Sequence, residues 1–105
     1  MAALDDYGTA SPTWLVLCRA LDTAPRPLLL TELQQQLLDR TDERVGRSVG
    51  TLTWHLTRLV DDGLVATEDL VRGRRRHTAY KLTDEGRELV TEALAAARKA
   101  LALAA

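Results

Sequence analysis

Four arginines fall within five positions, Arg72, Arg74, Arg75 and Arg76. Guanidinium groups crowded this way repel one another, and only Glu68 and Asp69 are near enough in sequence to offset them. Each presents a planar fork of N–H donors that matches phosphate oxygens. The residues suit phosphate contact or entry into a minor groove, where negative potential is concentrated; the plainer reading is a solvated hairpin tip. A second set is Arg47, Ser48, Thr51, Thr53, Trp54, Thr57 and Arg58. Arginine can read guanine through two hydrogen bonds, and threonine can bond a base or phosphate or touch a thymine methyl. Ser48, read as a helix cap, also leaves N–H groups at a helix start, a suitable phosphate site. The plainer reading is a merely soluble helix face, but Glu and Lys, the usual solvating residues, are scarce there until Asp61.

No other chemistry stands out. There is no nucleophile–base pair at a recognisable spacing and no glycine-rich phosphate loop. The adjacent acids Asp61-Asp62 and Asp84-Glu85 read as solvation and as a match to helix dipoles. The chain is not expected to be an enzyme and needs no cofactor.

One domain is expected from 105 residues. Without Phe, the core must be mostly Leu, Val and Ala, which favours helices. No apolar run approaches the ~20 residues that cross a bilayer, and the acidic first ten residues do not resemble a signal peptide. A single cysteine, Cys18, fits a reducing cytoplasm and reads as a small core residue. The net charge of −1 hides an asymmetry. Residues 44–81 hold eight Lys/Arg against four acids, a local +4, while the remainder holds six against eleven, −5. Fields act over a Debye length of roughly 10 Å, so the local excess is what a polyanion meets.

The elements that must position these residues follow from caps and breakers. Residues 1–10 are polar and small and predict an arm. Ser11-Pro12 starts a first helix running to about Asp22, with Leu15, Leu17, Cys18 and Leu21 on or near one face. Leu28 to Leu30 suits one short strand. Thr31 with Gln34 has the capping-box form and opens a second helix to about Leu38. Residues 39–47 are either an extension of that helix or an enlarged loop. Ser48 caps a third helix, with Val49, Leu52, Leu56, Leu59 and Val60 on one face and Arg47, Gly50, Trp54, Thr57, Arg58 and Asp61 opposite. Gly63 stops it. A strand from Leu64 to Glu68, a turn from Val71 to Arg76 and a returning strand from His77 to Leu82 follow. Thr83 caps the last helix.

In that order the residues His55-Leu56, Leu59 and Gly63-Leu64-Val65, then the stretch from Gly73 to Arg87, resemble small winged helix-turn-helix transcriptional regulators. The similarity covers about residues 12–95 and is to stand-alone regulators allied to the ArsR and MarR groups. The start Gly50-Thr51-Leu52 is similar to PadR proteins. The resemblance implies a mainly α fold with a small β-hairpin wing (α+β), a dimer, and a third helix in the major groove with the wing beside it. Metal-sensing ArsR proteins use clustered Cys or Cys/His ligands. Here Cys18, His55 and His77 are isolated in sequence, so no metal is expected.

The expected division is an arm over 1–10, a winged helix-turn-helix over 11–83 and a C-terminal dimerisation helix over 84–105. In that helix Val90, Leu94, Ala97, Leu101 and Ala104 are spaced 4, 3, 4, 3, as in a coiled-coil seam. The expected dimer interface is Val90, Leu94, Ala97 and Leu101 with Trp14 from the first helix. The expected function is a homodimeric regulator, a repressor, binding an inverted repeat in double-stranded DNA in the cytoplasm. A small apolar effector could sit at the dimer interface. The alternative is a winged helix that binds protein and not DNA. Trp54 is left with three readings: stacking on a sugar or base edge, packing on residues 39–47, or contacting another protein. His55 reads as a core-edge residue, and Tyr80 as packing under the wing.

Overall fold

The computed structural model describes residues 13–42 and 46–104. The expectations for the N-terminal arm and for the Ser11-Pro12 helix start lie outside them. The elements are α1 (Thr13–Thr23), β1 (Leu28–Leu29), α2 (Leu30–Arg40), α3 (Val49–Asp61), β2 (Val65–Arg72), β3 (Arg75–Leu82) and α4 (Asp84–Ala104). The three strands form one antiparallel sheet in the order β1-β3-β2.

The core is built from leucines at helical spacing. Leu17 and Leu21 of α1, Leu33 and Leu37 of α2, and Leu52, Leu56 and Leu59 of α3 meet Leu64, Val65 and Leu82 of the sheet. Leu89, Val90 and Ala93 of α4 close the cluster. Two residues expected at a dimer surface belong here instead. Trp14 is 4% exposed and Val90 2%, because α1 lies against α2, α4 and β3 and buries Trp14 with Leu17, Cys18 and Leu21. Leu15, expected inward, is only half-buried. Val49, also expected inward, is largely exposed, one turn short of the first buried leucine of α3. Burial, with Asp22 second, pushes the Cys18 thiol up to about 12, so it stays protonated and unreactive near neutral pH.

The caps explain where elements begin and end. Helix α2 is not capped by Thr31. Its N-cap is Leu29, whose backbone N–H donates to the Glu32 carboxylate at 3.0 Å. Gln34, the expected partner of Thr31, instead donates to the Gly46 carbonyl at 2.8 Å and holds the start of α3 against α2. The helix itself extends to Arg40, so part of residues 39–47 is helical. In Ser48 the hydroxyl accepts from the Thr51 N–H, as a cap should. Helix α3 ends in two overlapping bonds, Leu64 N–H to Leu59 O and Gly63 N–H to Val60 O, with Gly63 at φ +78.

Glu32 also pairs with Arg26. That pair first, then the Leu29 N–H, brings the Glu32 carboxyl down to about 2, with Arg72 adding a smaller pull. A carboxyl whose pKa falls on folding stabilises the fold above its unfolded value of about 4.3, and that contribution is lost as pH drops toward 2. The pair is partly exposed, so solvent screens it. Between pH 5 and pH 2 the Tm of Glu32→Gln should therefore fall less than that of the wild type. Equal falls in thermal melts would remove Glu32 from the acid response.

Thr83 caps α4 by accepting from the Gly86 N–H at 3.1 Å while its hydroxyl donates to Gly63 O at 2.8 Å. One side chain thus ties the end of α3 to the start of α4. Arg87 reaches Asp22 and Asp84, each at 3.0 Å, and joins α4 to α1.

Candidate nucleic-acid interface

The hairpin is longer and tighter than its sequence suggests. Strands β2 and β3 pair from Val65↔Leu82 out to Arg72↔Arg75, leaving only Gly73 and Arg74 as the loop. Gly73 takes φ +63, and Arg74 is not among the described residues with positive φ. That is the pattern of a II′ turn, whose twist matches the strands it joins. Arg72, Arg75 and Arg76 are therefore strand residues, and only Arg74 lies in the turn.

Directly paired residues share a sheet face. Arg72 and Arg75 stand opposite each other on the face that carries Leu70 and His77. Arg76 stands opposite Val71 on the face that carries Thr78 and Tyr80. All four arginines are exposed. They surround the hairpin end on both faces and at its tip rather than forming one flat patch. Arg72 also adds a weak pull on the Glu32 carboxylate. Nearer the body, Tyr80 is half-buried against the core, and Lys81 pairs with Glu68 at 3.9 Å.

Helix α3 presents Gly50, Thr51, Thr53, Trp54, Thr57 and Asp61 to solvent, with Arg58 half-buried among them. Gly50, Thr53, Trp54, Thr57, Arg58, Asp61 and Asp62 line a shallow open groove along the helix. Arg47 and Ser48 are exposed at its start. Trp54 is 59% exposed. Its ring meets the half-buried His55 edge to face, centroids 4.9 Å apart at 81°, and the Arg58 guanidinium lies 5.9 Å from its centre. Burial, then Arg58, lowers the His55 pKa below its ordinary value, which favours the neutral ring.

Helix α4 leaves the body after Leu94. Residues 95–103 are all exposed, including Ala97, Leu101 at 70% and Leu103. Beside its base, Leu15, Val16, Arg19, Arg40 and Leu94 enclose an apolar groove of about 250 Å³. The expected interface thus divides. Trp14 and Val90 lie in the chain's own core, Leu94 is half-buried at its edge, and Ala97 and Leu101 are bare. Leu15 and Val16 are the α1 residues on this surface, in place of Trp14. Among the described residues, no three His, Cys, Asp or Glu side chains converge as a metal site would require, and no helix is long and apolar enough to cross a membrane.

Two helices leading to a third with a polar outer face, followed by a tight basic hairpin, define a winged helix-turn-helix with an added C-terminal helix. The family model for PadR-like transcriptional regulators matches residues 23–92, two thirds of the chain, and the chain belongs to that family. Solved structures agree. A PadR-like transcription factor from Bacteroides fragilis superposes with a TM-score of 0.69 at 26% identity, covering 86% of this chain and 85% of that one. A PadR family regulator from Clostridium difficile gives 0.75 at 17% identity, with 89% and 94% covered. Bacillus subtilis PadR, solved with operator DNA, gives 0.67 at 16% identity, with 77% of this chain and 46% of that one covered. No curated protein matches the sequence.

Proposed function

We propose that this chain is a homodimeric, DNA-binding transcriptional repressor. The observation that carries the reading is one composite surface: the polar outer face of α3 beside a hairpin end ringed by four exposed arginines. Helix α3 enters the major groove through Arg47, Ser48, Thr51, Thr53, Trp54, Thr57 and Arg58. The wing lays Arg74, Arg75 and Arg76 on phosphates or in the adjacent minor groove, with Arg72 at its inner edge. The solved complex of Bacillus subtilis PadR with operator DNA supports this use of the fold. In a two-fold dimer the α3 helices would meet half-sites about one turn, ~34 Å, apart. Covering a promoter in that way excludes polymerase. A single cysteine suits a cytoplasmic setting.

A second copy is the partner that fits the bare end of α4. Ala97 and Leu101 continue the seam spacing beyond the point where the body stops covering the helix, and Leu94, Leu15 and Val16 extend the apolar surface to α1. Such a dimer also closes the groove beside Leu94, where an apolar effector would alter the spacing of the two α3 helices. Leu101→Asp should turn the dimer into a monomer in analytical ultracentrifugation while leaving the circular dichroism unchanged, since Leu101 adds nothing to the protomer core. A variant that sediments as the wild type does would remove this seam from the interface.

Fluorescence anisotropy with a labelled mixed-sequence duplex tests the DNA reading. Binding at low salt that weakens steeply as salt rises is expected. No binding at any salt, by a folded dimer, would favour the protein-interaction alternative for Trp54 and the wing.

A further inference from the structure

Trp54 is a large aromatic on the outer face of a helix whose apolar face is already filled by Leu52, Leu56 and Leu59. Nothing in the fold's own packing calls for it there. Its neighbours along the helix do. Trp54, Arg58 and the C-cap residue Asp62 follow at intervals of four and form one stripe along α3 to its end. The His55 ring packs edge to face with the Trp54 ring, the Arg58 guanidinium lies over the Trp54 ring, and Arg58 Nε is 4.0 Å from Asp62 Oδ2.

We infer that Arg58 reads one guanine in each DNA half-site, and that Trp54 and Asp62 are the positioning residues that fix its guanidinium for the task. The inference rests on the DNA-binding reading above and adds a base identity to it. Two arguments favour a base over a phosphate. Arg58 keeps its charge but stands in a patch that Asp61 and Asp62 make nearly neutral, and these acids would repel a phosphate. A guanine edge is neutral and presents two acceptors, N7 and O6, at the spacing of an arginine fork. Arg58 differs in this from Arg74, Arg75 and Arg76, which form no ion pair with a described carboxylate, Glu68 being paired with Lys81. Second, arginine loses side-chain freedom on binding, and a ring below with a carboxylate behind removes part of that loss beforehand.

The test begins with duplexes selected by the wild-type dimer from a random-sequence pool. Each guanine of the selected duplex is then replaced in turn by 7-deazaguanine, which keeps pairing but lacks N7. One symmetric guanine should cost the wild type about tenfold in affinity and cost Arg58→Ala nothing. Trp54→Ala and Asp62→Asn should each lose most of that discrimination while still binding, and Trp54→Phe should restore it. The altered side chains are exposed or half-buried, so circular dichroism should match the wild type. Guanine discrimination unchanged in Arg58→Ala would overturn the assignment of Arg58. Full discrimination in both Trp54→Ala and Asp62→Asn would overturn their positioning role. A wild type that selects no sequence at all would instead overturn the DNA-binding reading on which both depend.

Discussion

Gly86→Ala is expected to destabilise the fold strongly, although glycine to alanine in a helix usually stabilises. A Cβ at Gly86 would lie 2.2 Å from the Leu64 carbonyl oxygen and 2.7 Å from Leu82 Cδ1. Leu82 could turn aside, but the carbonyl could not. It accepts the Thr83 N–H at 3.0 Å, immediately after the turn that ends α3. Moving it would pull apart the junction where Gly63, Thr83 and the first turn of α4 meet. Overpacking a core costs about 1–3 kcal/mol, occasionally more, and an immovable backbone atom sets this case at about 3 kcal/mol or above. Against a total stability of about 5–15 kcal/mol, the loss is large. It outweighs the gain in helix propensity of about 1 kcal/mol that Gly to Ala brings elsewhere. Urea unfolding should show a clearly lowered midpoint with an unchanged slope. A midpoint equal to or above the wild type would mean that α4 does not approach Leu64 as described.

The second large effect belongs to the wing. Replacing Arg74, Arg75 and Arg76 together by alanine should leave folding untouched, because all three are exposed and none supports the core. DNA binding should suffer in a specific way. Each phosphate contact contributes about −0.9 to the slope of log affinity against log salt, so three contacts per protomer contribute about −2.7. At about 0.15 M salt the same relation gives roughly a hundredfold loss per protomer. The triple variant should therefore bind more weakly and with a shallower salt dependence, both read from anisotropy titrations. An unchanged slope would show that the wing stays off the phosphates.

Much of this architecture was legible in the chain. Ser48 and Thr83 announce helix starts because a hydroxyl can satisfy an N–H that the helix cannot, and Gly63 announces a stop because it accepts positive φ. The leucines of α3 declare its inner face by their spacing, so its outer face, with Trp54 and Thr57, follows by subtraction. The errors have physical causes too. Thr31 has the form of a cap, yet Glu32 sits one position later and reaches back to Leu29, so the helix begins earlier. The charged residues from Asp69 to Arg76 read as the end of a strand and a broad turn, but a two-residue turn at Gly73-Arg74 keeps β2 and β3 in register to the tip. Trp14 shares a helix face with Leu17, Cys18 and Leu21 at spacings of three, four and seven, and that periodicity outweighs the habit of assigning a lone aromatic to an interface. Val90 shows the limit of a seam read from spacing alone: the same a/d series serves the protomer core near the base of α4 and lies bare beyond Leu94. The groove of Leu15, Val16 and Leu94 depends on how α1 crosses α4, and no local pattern encodes that.

The most direct test is selection of genomic fragments by the purified protein at moderate salt, with the Arg74-Arg75-Arg76→Ala variant in parallel. Enrichment of an inverted repeat by the wild type, lost in the variant, is the expected result and would name the regulated promoters. A folded dimer that enriches no sequence would contradict the central claim.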